Sequence, residues 1–137
     1  MDYQSILKKF VLDPASIESF GIHKPENAKF NPNDPVAPHI VGGPAGGYWS
    51  TPQDLLKLAE WLRKKCTQEK FMRLLGQYGG EFYHKESKEV SHGGSIRSSS
   101  AHLSYRIDNQ LAIVMMSDKN GKGKASMFCQ AIQRHLL

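Results

Sequence analysis

Residues 89–106, EVSHGGSIRSSSAHLSYR, hold the best candidates for chemistry in this 137-residue chain. His92 stands directly before Gly93 and Gly94, and a run of small polar residues follows. A His beside bare backbone could form the rim of an active site. It could equally mark a glycine-rich turn with a surface His, leading into a strand. Composition alone favours the turn.

Other candidate groupings are weaker. His84, His92 and His102 are spaced by eight and ten residues, which matches no familiar ligand pattern, and no Cys or acidic cluster supports them. No metal and no cofactor is expected. The glycines from Gly42 to Gly47 are not followed by Gly-Lys-Ser/Thr, so they do not form a phosphate loop. Cys66 and Cys129 fall on apolar faces of expected helices and read as two buried free thiols. The net charge of +5 would favour an anionic partner, but the basic residues are scattered and no nucleic-acid motif accompanies them. No nucleic acid is expected as a partner. No apolar run approaches the roughly 20 residues of a membrane helix, and the N-terminus lacks the pattern of a secretory signal.

The elements that must position these residues follow from periodicity. Residues 2–12 predict a short helix with Ile6, Leu7, Phe10 and Val11 as its apolar stripe, stopped by Asp13-Pro14. A long irregular segment over 21–47 carries Pro25, Pro32, Pro35, Pro38 and Pro44. Thr51 caps the next helix, Pro52 opens it, and Asp54 sits at its third position. Leu55, Leu58, Ala59, Leu62 and Cys66 share one face of that helix. Thr67 would cap a second short helix containing Phe71, Met72 and Leu75.

The second half reads as sheet, with short strands at 81–84 and 88–91. From Ser99, Ala101, Leu103, Tyr105 and Ile107 alternate with Ser100, His102, Ser104 and Arg106. LAIVMM (111–116) is apolar on both faces and predicts a central, doubly covered strand. A last helix over 124–136 would face inward with Ala125, Phe128, Cys129, Ile132 and Leu136. The expected class is α+β: an antiparallel sheet of three to four strands, a C-terminal helix packed on it, and N-terminal helices. It is read as a single domain over 1–137, with a helix and long loop at 1–50, helices at 51–76, and strands with the C-terminal helix at 77–137. The C-terminal helix would cover only one sheet face, as expected for part of something larger.

Several stretches, in order, resemble the serine β-lactamase-like family of class C β-lactamases, penicillin-binding DD-peptidases and related esterases. AGGYWSTPQDLLKLAEWL (45–62) is similar to that family's Gly-Gly turn and capped helix. QYGGEF (77–82) resembles its Tyr-Gly-x-Gly-aromatic strand, and YQSILKKFVLDPASIESFGI (3–22) its segment after the second motif. SHGGSIRSSSAHLSYRIDNQLAIVMMSDKNG (91–121) looks like its third active-site motif and the following hairpin. The resemblance covers the C-terminal portion of that domain and implies a partial β-lactamase/transpeptidase-like fold.

It also implies roles. His92 would stand in place of the motif Lys or His and polarise near the nucleophile. Gly94 would keep the strand bare for a substrate backbone, and the N–H of Ser95 would be one oxyanion-hole donor. Gly93, Arg97 and Ser98 would border the substrate. Arg97-Ser98 replaces the family's frequent Pro-Gly, and Ser91 its frequent Gly. The family's nucleophile belongs to a Ser-x-x-Lys motif assisted by Tyr-x-Asn. This chain has no Tyr-x-Asn, and its Ser5-Ile6-Leu7-Lys8 falls in the wrong place relative to the other matches. The implied partner of the parent protein is an acyl-amide or ester small molecule, or a peptidoglycan-like peptide. An exposed sheet edge would also allow a homodimer. The family is often periplasmic or extracellular.

Overall fold

A four-stranded antiparallel sheet with helices on both faces organises the chain in the computed structural model. The structure describes residues 1–23, 46–78, 80–96, 99–117 and 124–136. Most of the proline-rich loop, Arg97, Ser98 and residues 118–123 lie outside them. The strands are β1 (Tyr83–His84), β2 (Glu89–Ile96), β3 (Ser99–Arg106) and β4 (Ala112–Ser117), in the sheet order β1-β2-β3-β4. The helices are α1 (Tyr3–Leu7), α2 (Pro52–Lys65), α3 (Glu69–Tyr78) and α4 (Lys124–Leu136). The fold is thus α+β with the C-terminal helix on the sheet, as the periodicity predicts.

Local chemistry explains α2. The Thr51 side chain accepts a hydrogen bond from the Asp54 N–H at 3.2 Å, Pro52 fills the first turn, and Arg63, Lys64 and Lys65 occupy the last. Ala59 and Cys66 are buried and meet Val90 and Tyr105 from the sheet. Leu62, Phe71, Met72 and Leu75 pack around this cluster. Burial of a side chain such as Tyr105, which is 1% exposed, contributes about 1.5–3 kcal/mol. Its hydroxyl lies 3.5 Å from the Cys66 thiol, and burial pushes the phenol well above its usual range. Both cysteines are free and buried.

Register assigns each residue of β2 and β3 to a face, because cross-strand partners share one. Val90 opposes Tyr105, His92 opposes Leu103 and Gly94 opposes Ala101, all on the α2 face. Ser91 opposes Ser104, Gly93 opposes His102 and Ser95 opposes Ser100, all on the α4 face.

Six expectations are corrected. The segment 2–12 is not one helix: α1 widens into a π-helical turn over Lys8–Leu12. Its apolar residues Ile6 and Phe10 are exposed, because among the described elements α1 makes an extended contact only with that turn. Thr67 does not cap α3; its hydroxyl donates back to the Lys64 carbonyl at 2.7 Å, closing α2 instead. The short strand expected at 88–91 runs on to Ile96, so His92-Gly93-Gly94 is strand, not turn. Among the described strands, β4 lies at the end of the sheet order and not at its centre. Helices α2 and α4 cover its two faces, and apolar residues on both faces report that cover rather than a lateral neighbour. The same observation removes the single-face problem, since α2 supplies the second cover. Finally, α4 turns Ala125, Cys129 and Gln133 inward, while Phe128, Ile132 and Leu136 are exposed. Ser100, His102 and Ser104 fill the space beneath α4, and a small and polar helix stripe meets them with matched volume and hydrogen bonds.

Candidate functional site

Strand β2 presents two different surfaces. On the α2 face, the exposed His92 ring stands edge-on to Phe82, with centroids 4.6 Å apart and planes at 72°. Phe82 ends a 3₁₀ turn over Gly80–Phe82, entered through Gly80 at φ +48°. A left-handed backbone at that point favours glycine. The QYGGEF and SHGGSIR stretches therefore meet at a His-Phe contact. Gly94 lies two residues along the same face, and a Cβ added there would meet nothing within 4 Å. Backbone at His92–Ser95 is exposed, and β1 pairs only with Glu89 and Val90, leaving this half of β2 beyond the reach of β1.

The α4 face is a buried polar layer. Ser104 donates to Glu89 Oε1 at 2.8 Å, and the Gln133 amide donates to the same oxygen at 3.0 Å and to Ser104 Oγ at 2.6 Å. The Ala125 N–H donates to Ser100 Oγ at 3.3 Å. Each buried polar group thus meets a partner, as burial demands. His102 Nδ1 and Ser126 Oγ are 2.9 Å apart. Burial pushes His102 below its ordinary value, the Glu89 charge pulls it back up, and His92 pushes it down. Burial and the Glu89 charge hold the Cys129 thiol up at about 11.

The Ser126–His102 pair has the composition of an activated nucleophile, but strand β2 closes over it. A Cβ on Gly93 would lie 2.5 Å from Ser126 Oγ and 2.6 Å from His102 Nδ1. On the Gly93 side no room is left for an acyl group, and the pair packs against bare backbone there. Gly93, assigned by the resemblance to the substrate border, is held to glycine by the layer beneath it. Small polar residues at every second position of β3, together with Ala125, Cys129 and Gln133 four apart on α4, were the sequence features that could have revealed this layer.

Beside it, an open groove of about 640 Å³ is lined by His84, Glu89, Ser91, His102, Gln130 and Gln133 among others. His84 Nε2 and Ser91 Oγ are 3.3 Å apart at its mouth. The three histidines do not converge: His84 and His102 belong to this side and His92 to the other. Among the described residues, no three His, Cys, Asp or Glu side chains gather as a metal site.

Ser5 and Lys8 point to other partners. The Ser5 N–H and hydroxyl donate to the Asp2 carboxylate at 2.8 and 2.9 Å, forming the cap of α1. Lys8 pairs with Asp13. The other resembling segments are also joined: Gly21 and Trp49 exchange two backbone hydrogen bonds, and the Phe20 and Tyr48 rings stand 4.7 Å apart. Gly46 and Gly47 both take positive φ, as a Gly-Gly turn requires. Arg97 and Ser98 lie outside the described residues. Among the described residues, no helix is long and apolar enough to cross a membrane. In comparisons with known proteins, no family model, curated protein or solved structure matches the chain.

Proposed function

We propose that this chain forms one wall of an acyl-binding cleft of the serine β-lactamase-like kind. The cleft would belong to the C-terminal portion of a hydrolase that cleaves amides or esters through a Ser acyl-enzyme. The observation that carries this reading is the exposed His92, set against Phe82 and followed on the same face by the bare Gly94. A substrate backbone could lie along this half of β2, with His92 polarising its reacting group and the Ser95 N–H serving a developing oxyanion. Arg97 and Ser98 would border the mouth. The partner is an acyl-amide or ester, including a peptidoglycan-like peptide. Ser5 is engaged in capping α1 and the family's Tyr-x-Asn is missing from the sequence, so this chain alone is expected not to hydrolyse.

The test is an amide NMR titration with a peptide ending in D-Ala-D-Ala, beside labelling with a fluorophosphonate serine probe read by intact mass. Shifts confined to His92–Ser95, lost in Gly94→Val, with no adduct, are expected. Shifts mapping instead to the groove of His84 and Gln130, no shifts, or a serine adduct would each overturn the reading.

A second reading is a non-catalytic binding or pairing module derived from the same fold. It is favoured by the apolar side chains that α4 leaves exposed at the β4 edge of the sheet.

A further inference from the structure

The outer edge of β4 and one flank of α4 form a single apolar surface. Among the described residues, no strand pairs with that edge. Residues 111–117, LAIVMMS, contain no charge and no proline, although the chain carries +5 overall. Lone edge strands are ordinarily guarded by Lys, Pro or a bulge. Helix α4 runs along β3 in the same direction, as the contacts of Ala125 with Ser100, Ser126 with His102 and Gln133 with Ser104 show. Its Ser126 and Gln130 mark the flank turned toward β2. Phe128 and Ile132 lie about 200° further round at 3.6 residues per turn, on the flank beside β4. They are 51% and 38% exposed.

We propose that a second copy of this chain pairs through β4, antiparallel and two-fold symmetric. This deepens the second reading above and rests on it, not on the His92 cleft. Geometry couples the two features. An antiparallel edge pair related by a two-fold axis requires that axis to stand perpendicular to the sheet. Both copies of α4 then lie on one face of a continuous eight-stranded sheet, and their β4-side flanks face each other. The same operation that joins the uncharged edges therefore covers Phe128 and Ile132. The absence of charge in 111–117 lets the two strand edges meet without a charge at the seam.

Sedimentation velocity of the intact chain over a wide concentration series tests this, with hydrogen exchange of the β4 amides. The expected result is a dimer with protected β4 amides. It should dissociate at least about tenfold more readily in Phe128→Asp and in Ile132→Lys, each with the circular dichroism spectrum of the parent chain. A dimer indifferent to both substitutions would overturn this surface while leaving pairing intact. A monomer at every concentration would overturn pairing as well; protected β4 amides in that monomer would mean that the chain covers the edge itself.

Discussion

Gly93 and Gly94 are adjacent and chemically identical, yet they answer to different constraints. Gly93 is pressed against Ser126 and His102, while Gly94 borders open space. Gly93→Ala should cost about 1–3 kcal/mol by overpacking. Gly94→Ala should change stability by no more than about 0.5 kcal/mol. Urea denaturation of the two variants separates them, and equal costs would contradict the packing described here. A sequence shows that glycines stand at 93 and 94 but not which neighbour forbids a side chain. His92 was legible as a candidate because it precedes them. The reason Gly93 is required could not be read, since His102 and Ser126 reach it from a strand and a helix distant in the chain.

At the scale of elements, Asp54 carries more than its helix-start position suggests. Its carboxylate accepts from the Ser19 N–H at 2.7 Å and the Glu18 N–H at 3.2 Å, and pairs with Lys57 at 2.6 Å. One buried acid ties the segment after α1 to the first turn of α2. Asp54→Ala should cost about 2–3 kcal/mol, in line with hydrogen bonds to a charged group, and thermal melts would check it. A near-neutral effect would mean that the tether is dispensable. Helix α2 was legible because its cap, proline and apolar spacing are local. The inward face of α4 was not, because two stripes compete on it. The bulkier one, Phe128, Ile132 and Leu136, is the more hydrophobic, but the polar floor of β3 selects the smaller. Position in the sheet order was equally hidden for β4, where face cover and lateral pairing leave the same apolar pattern.

For the whole molecule, the buried polar layer and the Asp54 tether set the response to acid. Burial lowers His102 in the folded state below its unfolded value of about 6.5. Stability is therefore full above about pH 6.5. It declines below that, as the unfolded chain takes a proton that the folded one refuses, until the folded value is reached. Asp54 is held well below the usual carboxylate range, chiefly by Lys57 and then by Ser19. Its contribution is intact above about pH 4 and is lost as pH falls through the lowered value. Denaturation across pH should show two separate declines, and His102→Gln should remove only the first. A profile flat from neutrality to about pH 5 would contradict the first assignment. The α+β class was legible from the order of periodic segments. The layer that seats α4 on the sheet depends on pairs such as Glu89 with Gln133, which no local pattern contains.

The two thiols lie under different roofs. Cys66 is buried beside Tyr105 on the α2 side of the sheet, and Cys129 is buried on the inward face of α4. Neither can be alkylated while its own helix stays seated. The chain therefore carries a built-in record of how it comes apart. A molecule modified at Cys66 alone has lifted its α2 layer, and one modified at Cys129 alone has lifted α4. A peptide map of such a reaction reads the order in which the two layers peel away, without any label being added to the sequence.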